Sequence, residues 1–191
     1  TAVADGATTN DATLTLTFTS SKATSNFALG DITVSGGALS NFSSSSSTVY
    51  TALFTPSQAG ATTIDVAAGT FTDSDTLNNI AATQFNWTYD NIAPSISSVS
   101  LANDNNSIAV TMTEAVYNTN GGSGALEASD FILSVSGGTA TLGSSTPTSI
   151  SSSGNVYTLG FNLSGIADGN ETLSVTPASN AIFDAPGNPA S

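Results

Sequence analysis

The stretch Ala12-Thr13-Leu14-Thr15-Leu16-Thr17-Phe18-Thr19 alternates apolar and hydroxyl side chains at every position. A period of two places successive side chains on opposite faces of an extended strand, so the leucines and the phenylalanine would face a core and the threonines water. In a helix the apolar residues would instead recur every three or four positions. The stretch therefore predicts a half-buried β-strand.

Similar alternating runs recur along the sequence, separated by turns rich in Gly, Ser, Asn and Pro. Short strands at this spacing are typical of a sandwich or a barrel. Charged residues make up only 8% of the chain, and this low charge together with the alternation indicates a folded protein. Further strands are predicted at residues 31–35, 48–55, 62–67, 83–89, 96–101, 107–113, 131–135, 156–163 and 172–176.

The two halves of the sequence match each other in the same order, which indicates an internal repeat. In the match given first below, the residues that follow the two segments, Ser20 and Glu114, are aligned with each other. Between the halves lies a short linker, Asp90-Asn91-Ile92-Ala93-Pro94, in which proline restricts the backbone. We therefore predict two modules, residues 1–91 and 92–191. The matched segments are Leu16-Thr17-Phe18-Thr19 with Val110-Thr111-Met112-Thr113, Ser35-Gly36-Gly37 with Ser136-Gly137-Gly138, Val49-Tyr50-Thr51 with Val156-Tyr157-Thr158, Ile64-Asp65-Val66 with Leu173-Ser174-Val175, and Phe71-Thr72-Asp73 with Ile182-Phe183-Asp184.

The strands at the two ends of the sequence are expected to be incomplete. The first half has a last strand at residues 84–89 that has no counterpart before Ser191, and Thr1-Ala2-Val3 is a stub of the strand at residues 96–101. We expect neighbouring repeats to continue the chain on each side. A neighbouring subunit that donates the missing strand remains an alternative.

The charge balance excludes several classes of partner. Fourteen acidic residues face a single basic one, Lys22, so the surface repels nucleic acid and anionic lipid headgroups. The sequence also has no apolar run long enough to insert into a membrane.

Because Cys and His are absent, disulfides, imidazole catalysis and the usual zinc sites are excluded. Abundant carboxylates favour calcium as the cofactor.

In a Greek-key sandwich alternate loops fall at the same end, which would bring several oxygen ligands of the second module together. Carboxylates and an asparagine amide are ligands that calcium accepts. We therefore predict a calcium ion at the joint between the modules, although Asp184 and Asn188 could equally be ordinary turn formers. The predicted ligands are Glu114, Asp184, Asn188 and the linker's Asp90 or Asn91.

A second candidate calcium site lies in the acidic loop of the first module. Asp73, Asp75 and Asn78 alternate as ligands often do, but the loop lacks the full EF-hand pattern and its late bidentate glutamate. An ordinary turn is the alternative. Asp31 and Asp130 precede matched strands, and we predict that each caps a turn.

Several motifs resemble the bacterial immunoglobulin-like repeats of giant adhesins and other repetitive surface proteins. They include Gly30-Asp31-Ile32-Thr33-Val34, Ala128-Ser129-Asp130-Phe131 and Ile182-Phe183-Asp184-Ala185-Pro186-Gly187-Asn188. The resemblance implies an all-β fold of two tandem immunoglobulin-like Greek-key β-sandwiches. It also implies an extracellular spacer in a secreted, surface-anchored fibre, often stiffened by calcium. Its partners would be neighbouring repeats and identical subunits of the fibre.

Catalysis has no support in the sequence, because no serine has a histidine or lysine partner in a recognisable motif. A carboxylate pair that cleaves glycosides would need an aromatic platform, but Trp87, the only tryptophan, lies in an alternating strand where we predict core packing. We predict that the chain is not an enzyme. Two alternatives stay open: a module that binds glycan or protein through Tyr117, beside the glycine-rich loop 118–124, and an accessory domain of a secreted hydrolase.

Overall fold

The computed structural model describes residues 2–191. The chain divides into two compact units, Thr1–Asn91 and Ile92–Ser191. Each contains one short 3-10 turn, Leu29–Asp31 and Ala128–Asp130, and the rest of the regular structure is β-strand. Both turns end on an aspartate whose carboxylate accepts a backbone N–H three residues earlier, at 2.8 Å for Asp31 and 2.7 Å for Asp130. The predicted turn-capping role of these two residues is confirmed.

The first unit consists of two sheets. One has the order β1-β7-β6-β3 and the other β2-β5-β4. β1 runs parallel to β7, while the remaining neighbours are antiparallel. The strands are β1 (Ala7–Thr9), β2 (Leu14–Thr19), β3 (Ile32–Ser35), β4 (Gly37–Ser44), β5 (Val49–Pro56), β6 (Gly60–Val66) and β7 (Phe85–Tyr89).

The core of this unit lies between the inward faces of the two sheets. Trp87 on β7 is 1% exposed, and its ring packs edge-on against Phe54 of β5 with 6.0 Å between the ring centroids. Its indole N–H donates to Thr9 Oγ1 at 3.1 Å, which satisfies the polar end of a buried ring. The predicted core role of Trp87 is confirmed.

The second unit repeats much of this arrangement. A four-stranded sheet has the order β12-β13-β9-β8, and two short ladders pair β10 with β15 and β11 with β14, all antiparallel. Its core is built on the inward residues of β9, β10 and β13. The strands are β8 (Ile96–Leu101), β9 (Ser107–Met112), β10 (Phe131–Ser136), β11 (Thr141–Leu142), β12 (Ser149–Ser153), β13 (Val156–Gly160), β14 (Leu163–Ser164) and β15 (Thr172–Pro177).

Strand register corrects one part of the internal comparison. Tyr50 and Tyr157 occupy matching places, but Tyr50 pairs with Phe18 and Tyr157 pairs with Val110. Val110 therefore matches Phe18 and not Leu16, a shift of two residues. The hydrogen bonds at the ends of the two ladders agree, because Ser20 N–H donates to Thr48 O as Met112 N–H donates to Asn155 O, both at 2.9 Å. With this shift Glu114 matches Lys22, and not Ser20.

The predicted all-β, immunoglobulin-like sandwich is confirmed. The sequence patterns did not predict β1, β4, β11, β12 or β14, and most of these strands are short or rich in serine. That the two units are copies of one repeat stays a prediction, although the order β9-β13-β12 repeats β2-β5-β4 and the pair β10-β15 repeats β3-β6. Among residues 2–191, no helix has the length and apolar character needed to cross a membrane.

Candidate metal centre

Asp184 is a fully buried carboxylate in the loop that follows β15. Its Oδ1 accepts the backbone N–H of Gly187 at 2.7 Å and that of Asn188 at 2.6 Å, and its Oδ2 accepts the Asn188 side-chain amide at 2.8 Å. These three bonds fold residues 184–188 around the carboxylate. Asp184 and Asn188 are thus turn formers, as the alternative interpretation held, but a carboxylate oxygen has room for further ligation.

The loop favours glycine at position 187. Gly187 has a φ of 101°, a backbone conformation that residues with a Cβ rarely adopt. A Cβ there would also lie 2.1 Å from Asn120 Oδ1. The carboxylate of Asp184 is therefore held by a backbone turn that the local sequence specifies.

Glu114 lies beside this loop. It follows β9, and the segment after it is tied to the Asp184 loop by two backbone bonds, Tyr117 N–H to Phe183 O at 2.7 Å and Phe183 N–H to Tyr117 O at 2.8 Å. As a result, carboxylate oxygens of Glu114 and Asp184 lie within 4.8 Å of each other. Two negative charges at this separation repel each other, and the repulsion grows as the site is withdrawn from water.

The chain enters the second unit at the same place. Thr113 N–H donates to Ser95 O at 2.9 Å, and Ser95 N–H donates to Thr113 Oγ1 at 3.0 Å. Ser95 therefore lies beside the residue that immediately precedes Glu114. The linker reaches the unit at the end where its two carboxylates converge.

The acidic loop of the first unit has a similar turn but a different partner. Asp73 Oδ1 accepts the N–H groups of Asp75 and Leu77, each at 2.9 Å. Lys22 Nζ lies 2.8 Å from Asp75 Oδ2 and 3.2 Å from Asp73 Oδ2. Hydrogen bonds to Asp75 and then to Asp73 raise the pKa of the Lys22 ammonium, while the N–H of Leu77 is the main cause that lowers the pKa of Asp73. An additional cation in this loop would compete with Lys22 for Asp73 Oδ2 and Asp75 Oδ2.

The two loops can be matched residue by residue. In each, an aspartate binds the backbone of its own turn, and the third residue after it has a positive φ, 65° at Thr76 and 101° at Gly187. The residue facing the aspartate differs in charge, since Lys22 stands where the second unit has Glu114. Asp73 therefore has the Lys22 ammonium beside it, whereas Asp184 has the Glu114 carboxylate beside it.

The remaining predicted ligands lie in the first unit. Asp90 follows β7, and its backbone N–H donates to Thr9 O at 3.0 Å, while Asn91 is exposed at the end of the unit. Asn78 is also exposed, and its backbone forms a bridge with Thr72. Its neighbour Asn79 holds the loop instead, because its Oδ1 accepts the N–H groups of residues 70 and 71 and its Nδ2 donates to the carbonyls of residues 67 and 80.

Glu171 is a structural carboxylate that the sequence analysis did not single out. Its Oε1 accepts the N–H groups of Thr139 and Ala140, each at 3.0 Å, and its Oε2 accepts those of Asp168 and Gly169, each at 3.1 Å. These bonds, that of Ala140 foremost, lower the pKa of Glu171 to about 2. No local motif marks this role, since the donors come from two separate segments.

One comparison with known proteins identifies a family. Residues 1–89 match the model described as a bacterial Ig-like domain, while no curated protein and no solved structure matches the chain. Domains of this family are typically non-catalytic structural modules and often occur in surface or extracellular proteins. The match covers all seven strands of the first unit. Residues 1–89 of this chain are therefore similar to bacterial Ig-like domains.

Proposed function

We propose that the chain is an extender segment of a secreted, repetitive bacterial surface protein, an adhesin or a filament, and that calcium stiffens it. The observation that carries the proposal is the carboxylate pair of Glu114 and Asp184 within 4.8 Å, in a chain whose first unit is similar to bacterial Ig-like domains. A spacer needs stable modules and stiff joints, and it needs no reactive site.

The donor set suits calcium by its chemistry. Glu114, Asp184 and Asn188 supply only oxygen atoms as potential ligands, and hard cations such as calcium take about six to eight oxygens at flexible geometry. Asp184 is already oriented by its own turn, so its carboxylate does not have to be ordered when an ion binds. The residues present therefore fit a calcium ion.

The corresponding site of the first unit has a positive charge beside its aspartate. There the matching aspartate, Asp73, has the Lys22 ammonium beside it at 3.2 Å. The second unit has Glu114 at the matching place, and the chain has no other basic residue to take the role of Lys22. A divalent ion would supply the positive charge that lysine supplies in the first unit.

The linker residues Asp90 and Asn91 are proposed as further ligands. They precede Ser95 by only a few residues, and Ser95 lies beside Thr113 at the Glu114 end of the second unit. A calcium ion that bound both Asp90 and the pair of the second unit would restrict the linker. Fewer relative orientations of neighbouring modules would then be accessible.

Small-angle scattering of the full chain, with calcium and with a chelator, tests this function. We expect the calcium form to give a narrower distribution of interatomic distances. Glu114→Lys is the matched variant, because it copies the ammonium of the first unit, and it should give the same profile in both conditions. Identical profiles for the unsubstituted chain would remove calcium stiffening from the proposal.

A further inference from the structure

Asn120-Gly121 is the only Asn-Gly pair of the sequence. An asparagine followed by glycine is chemically labile, because glycine has no Cβ to hinder the approach of its backbone nitrogen to the asparagine Cγ. The same ring closure occurs, through the carboxyl group, at an aspartate followed by glycine. The chain has two such pairs, Asp5-Gly6 and Asp168-Gly169. Three pairs are therefore candidates for this reaction, and the structure distinguishes between them.

The backbone N–H of the glycine decides how readily each pair reacts. To attack, the nitrogen must lose its proton and turn towards the neighbouring side chain, so a hydrogen bond from this N–H holds it back. Gly6 N–H donates to Asn86 O at 2.7 Å, and Gly169 N–H donates to Glu171 Oε2 at 3.1 Å. Within residues 2–191, Gly121 N–H donates to no acceptor. Only this third pair is free to close.

The Asn120-Gly121 pair lies at the tip of an exposed loop. Thr119 N–H donates to Ser123 O at 3.2 Å, and the hydroxyl oxygens of these two residues lie 2.8 Å apart, so the loop is closed just outside the pair. Asn120 and Gly121 are both exposed. Solvent therefore reaches the pair, and ring closure does not require the bonds between Thr119 and Ser123 to break.

We infer that Asn120 is a site of spontaneous modification, which converts it to aspartate and isoaspartate through a five-membered succinimide ring. The Gly121 nitrogen loses its proton and bonds to Asn120 Cγ, the bond from Cγ to the side-chain nitrogen breaks, and ammonia leaves. Water then opens the ring at one of its two carbonyl carbons. Breaking the new bond to Cγ gives aspartate, and breaking the bond from Gly121 N to the Asn120 carbonyl carbon gives isoaspartate. One water molecule is consumed in ring opening, and neither an enzyme nor an oxidant is needed.

The modification adds a negative charge beside the turn that holds Asp184. Asn120 Oδ1 lies against Gly187, because a Cβ added to Gly187 would be 2.1 Å from it. The new carboxylate therefore joins a region in which Glu114 and Asp184 already repel each other. A third negative charge would increase the attraction of this region for cations, an effect that rests on the proposed function. The conversion itself does not, so a chain that binds no calcium would still undergo it.

A matched control places the same dipeptide at a glycine whose N–H is bonded. Asp168→Asn creates a second Asn-Gly pair in the same unit, where Gly169 is also exposed and also has a positive φ, 87°. The substitution keeps an Oδ1, the atom that accepts the N–H of Asn170 at 3.0 Å. The two Asn-Gly pairs of this variant differ in the hydrogen bond of the glycine N–H.

Incubation of this variant at mildly alkaline pH, followed by pepsin digestion and mass spectrometry, measures both conversions in one sample. We expect position 120 to convert at least roughly tenfold faster than position 168, because a hydrogen bond to a charged carboxylate reduces the reactive fraction by that factor or more. In denaturant the two rates should become similar. Equal rates in the folded chain, or a difference that persists undiminished in denaturant, would overturn the inference.

Discussion

Replacing Asp184 separates its structural role from the proposed binding of calcium. Asp184→Ala would leave the buried N–H groups of Gly187 and Asn188 and the Asn188 amide without their acceptor. A buried donor that loses its partner costs about 1–3 kcal/mol, so for three donors we expect a loss of roughly 3–9 kcal/mol in the free energy of unfolding of the second unit. Asp184→Asn keeps an acceptor for the two backbone groups, and rotation of the Asn188 amide restores the third bond. Its cost should stay below about 2 kcal/mol.

Denaturant unfolding with calcium and with a chelator distinguishes the two roles. Calcium should raise the denaturant midpoint of the unsubstituted chain but not that of Asp184→Asn. The control is Asp130→Asn, because Asp130 is also buried in the second unit but belongs to a different turn. It should keep the full response to calcium. A calcium response that survives in Asp184→Asn, or a negligible cost of Asp184→Ala, would refute the reasoning.

Three further predictions concern other parts of the chain. Lys22→Glu copies the second unit's arrangement beside Asp73, so calorimetric titration should detect one additional calcium ion; no additional ion would argue against the matching of the two loops. Trp87→Ala should lower the stability of the first unit by about 3–5 kcal/mol. In scanning calorimetry one transition should move, and a shift of both, or of neither, would contradict the assignment. The pKa of Glu171 is lowered from 4.5 to about 2, so its stabilisation of the second unit is fully present above pH 4.5 and is lost as the pH falls towards 2. Melting temperatures between pH 2 and 6 should show this loss, and Glu171→Gln should flatten the profile; an unchanged profile would contradict the assigned role.

The alternating strands could be predicted from sequence because burial of one face fixes a period of two. β2, β5 and β9 follow this rule, and their alternate residues face the core. The strands that were missed lack the pattern. β12 has the sequence Ser-Ile-Ser-Ser-Ser and lies at a sheet edge, where only its backbone pairing defines it. Propensity and periodicity carry little information at such edges.

Register could not be predicted for a related reason. A shift of two residues keeps every side chain on the same face, so the alternation of β2 and β9 is equally compatible with either alignment. The sequence comparison set Ser20 against Glu114. Only the strand partners of the two tyrosines, Phe18 for Tyr50 and Val110 for Tyr157, show that Lys22 is the residue that matches Glu114. The most informative contrast between the units was hidden by this ambiguity.

The candidate site was partly visible in the sequence. A topology that gathers loops at one end was enough to group Glu114 with Asp184, and the turn sequence around Asp184 and Asn188 was recognisable. The sequence did not reveal that Asp184 is completely buried, nor that Lys22 accompanies Asp73. Both depend on contacts between segments far apart in the chain, which no local pattern records.

Calorimetric titration of calcium into the full chain tests the central claim most directly. Extracellular modules bind calcium with dissociation constants of about 10⁻⁴–10⁻³ M, so the titration must reach millimolar concentrations. We predict saturable binding of one ion that Glu114→Lys abolishes and Asp130→Asn retains. Absence of saturable binding at millimolar calcium, or unchanged binding by Glu114→Lys, would contradict the account.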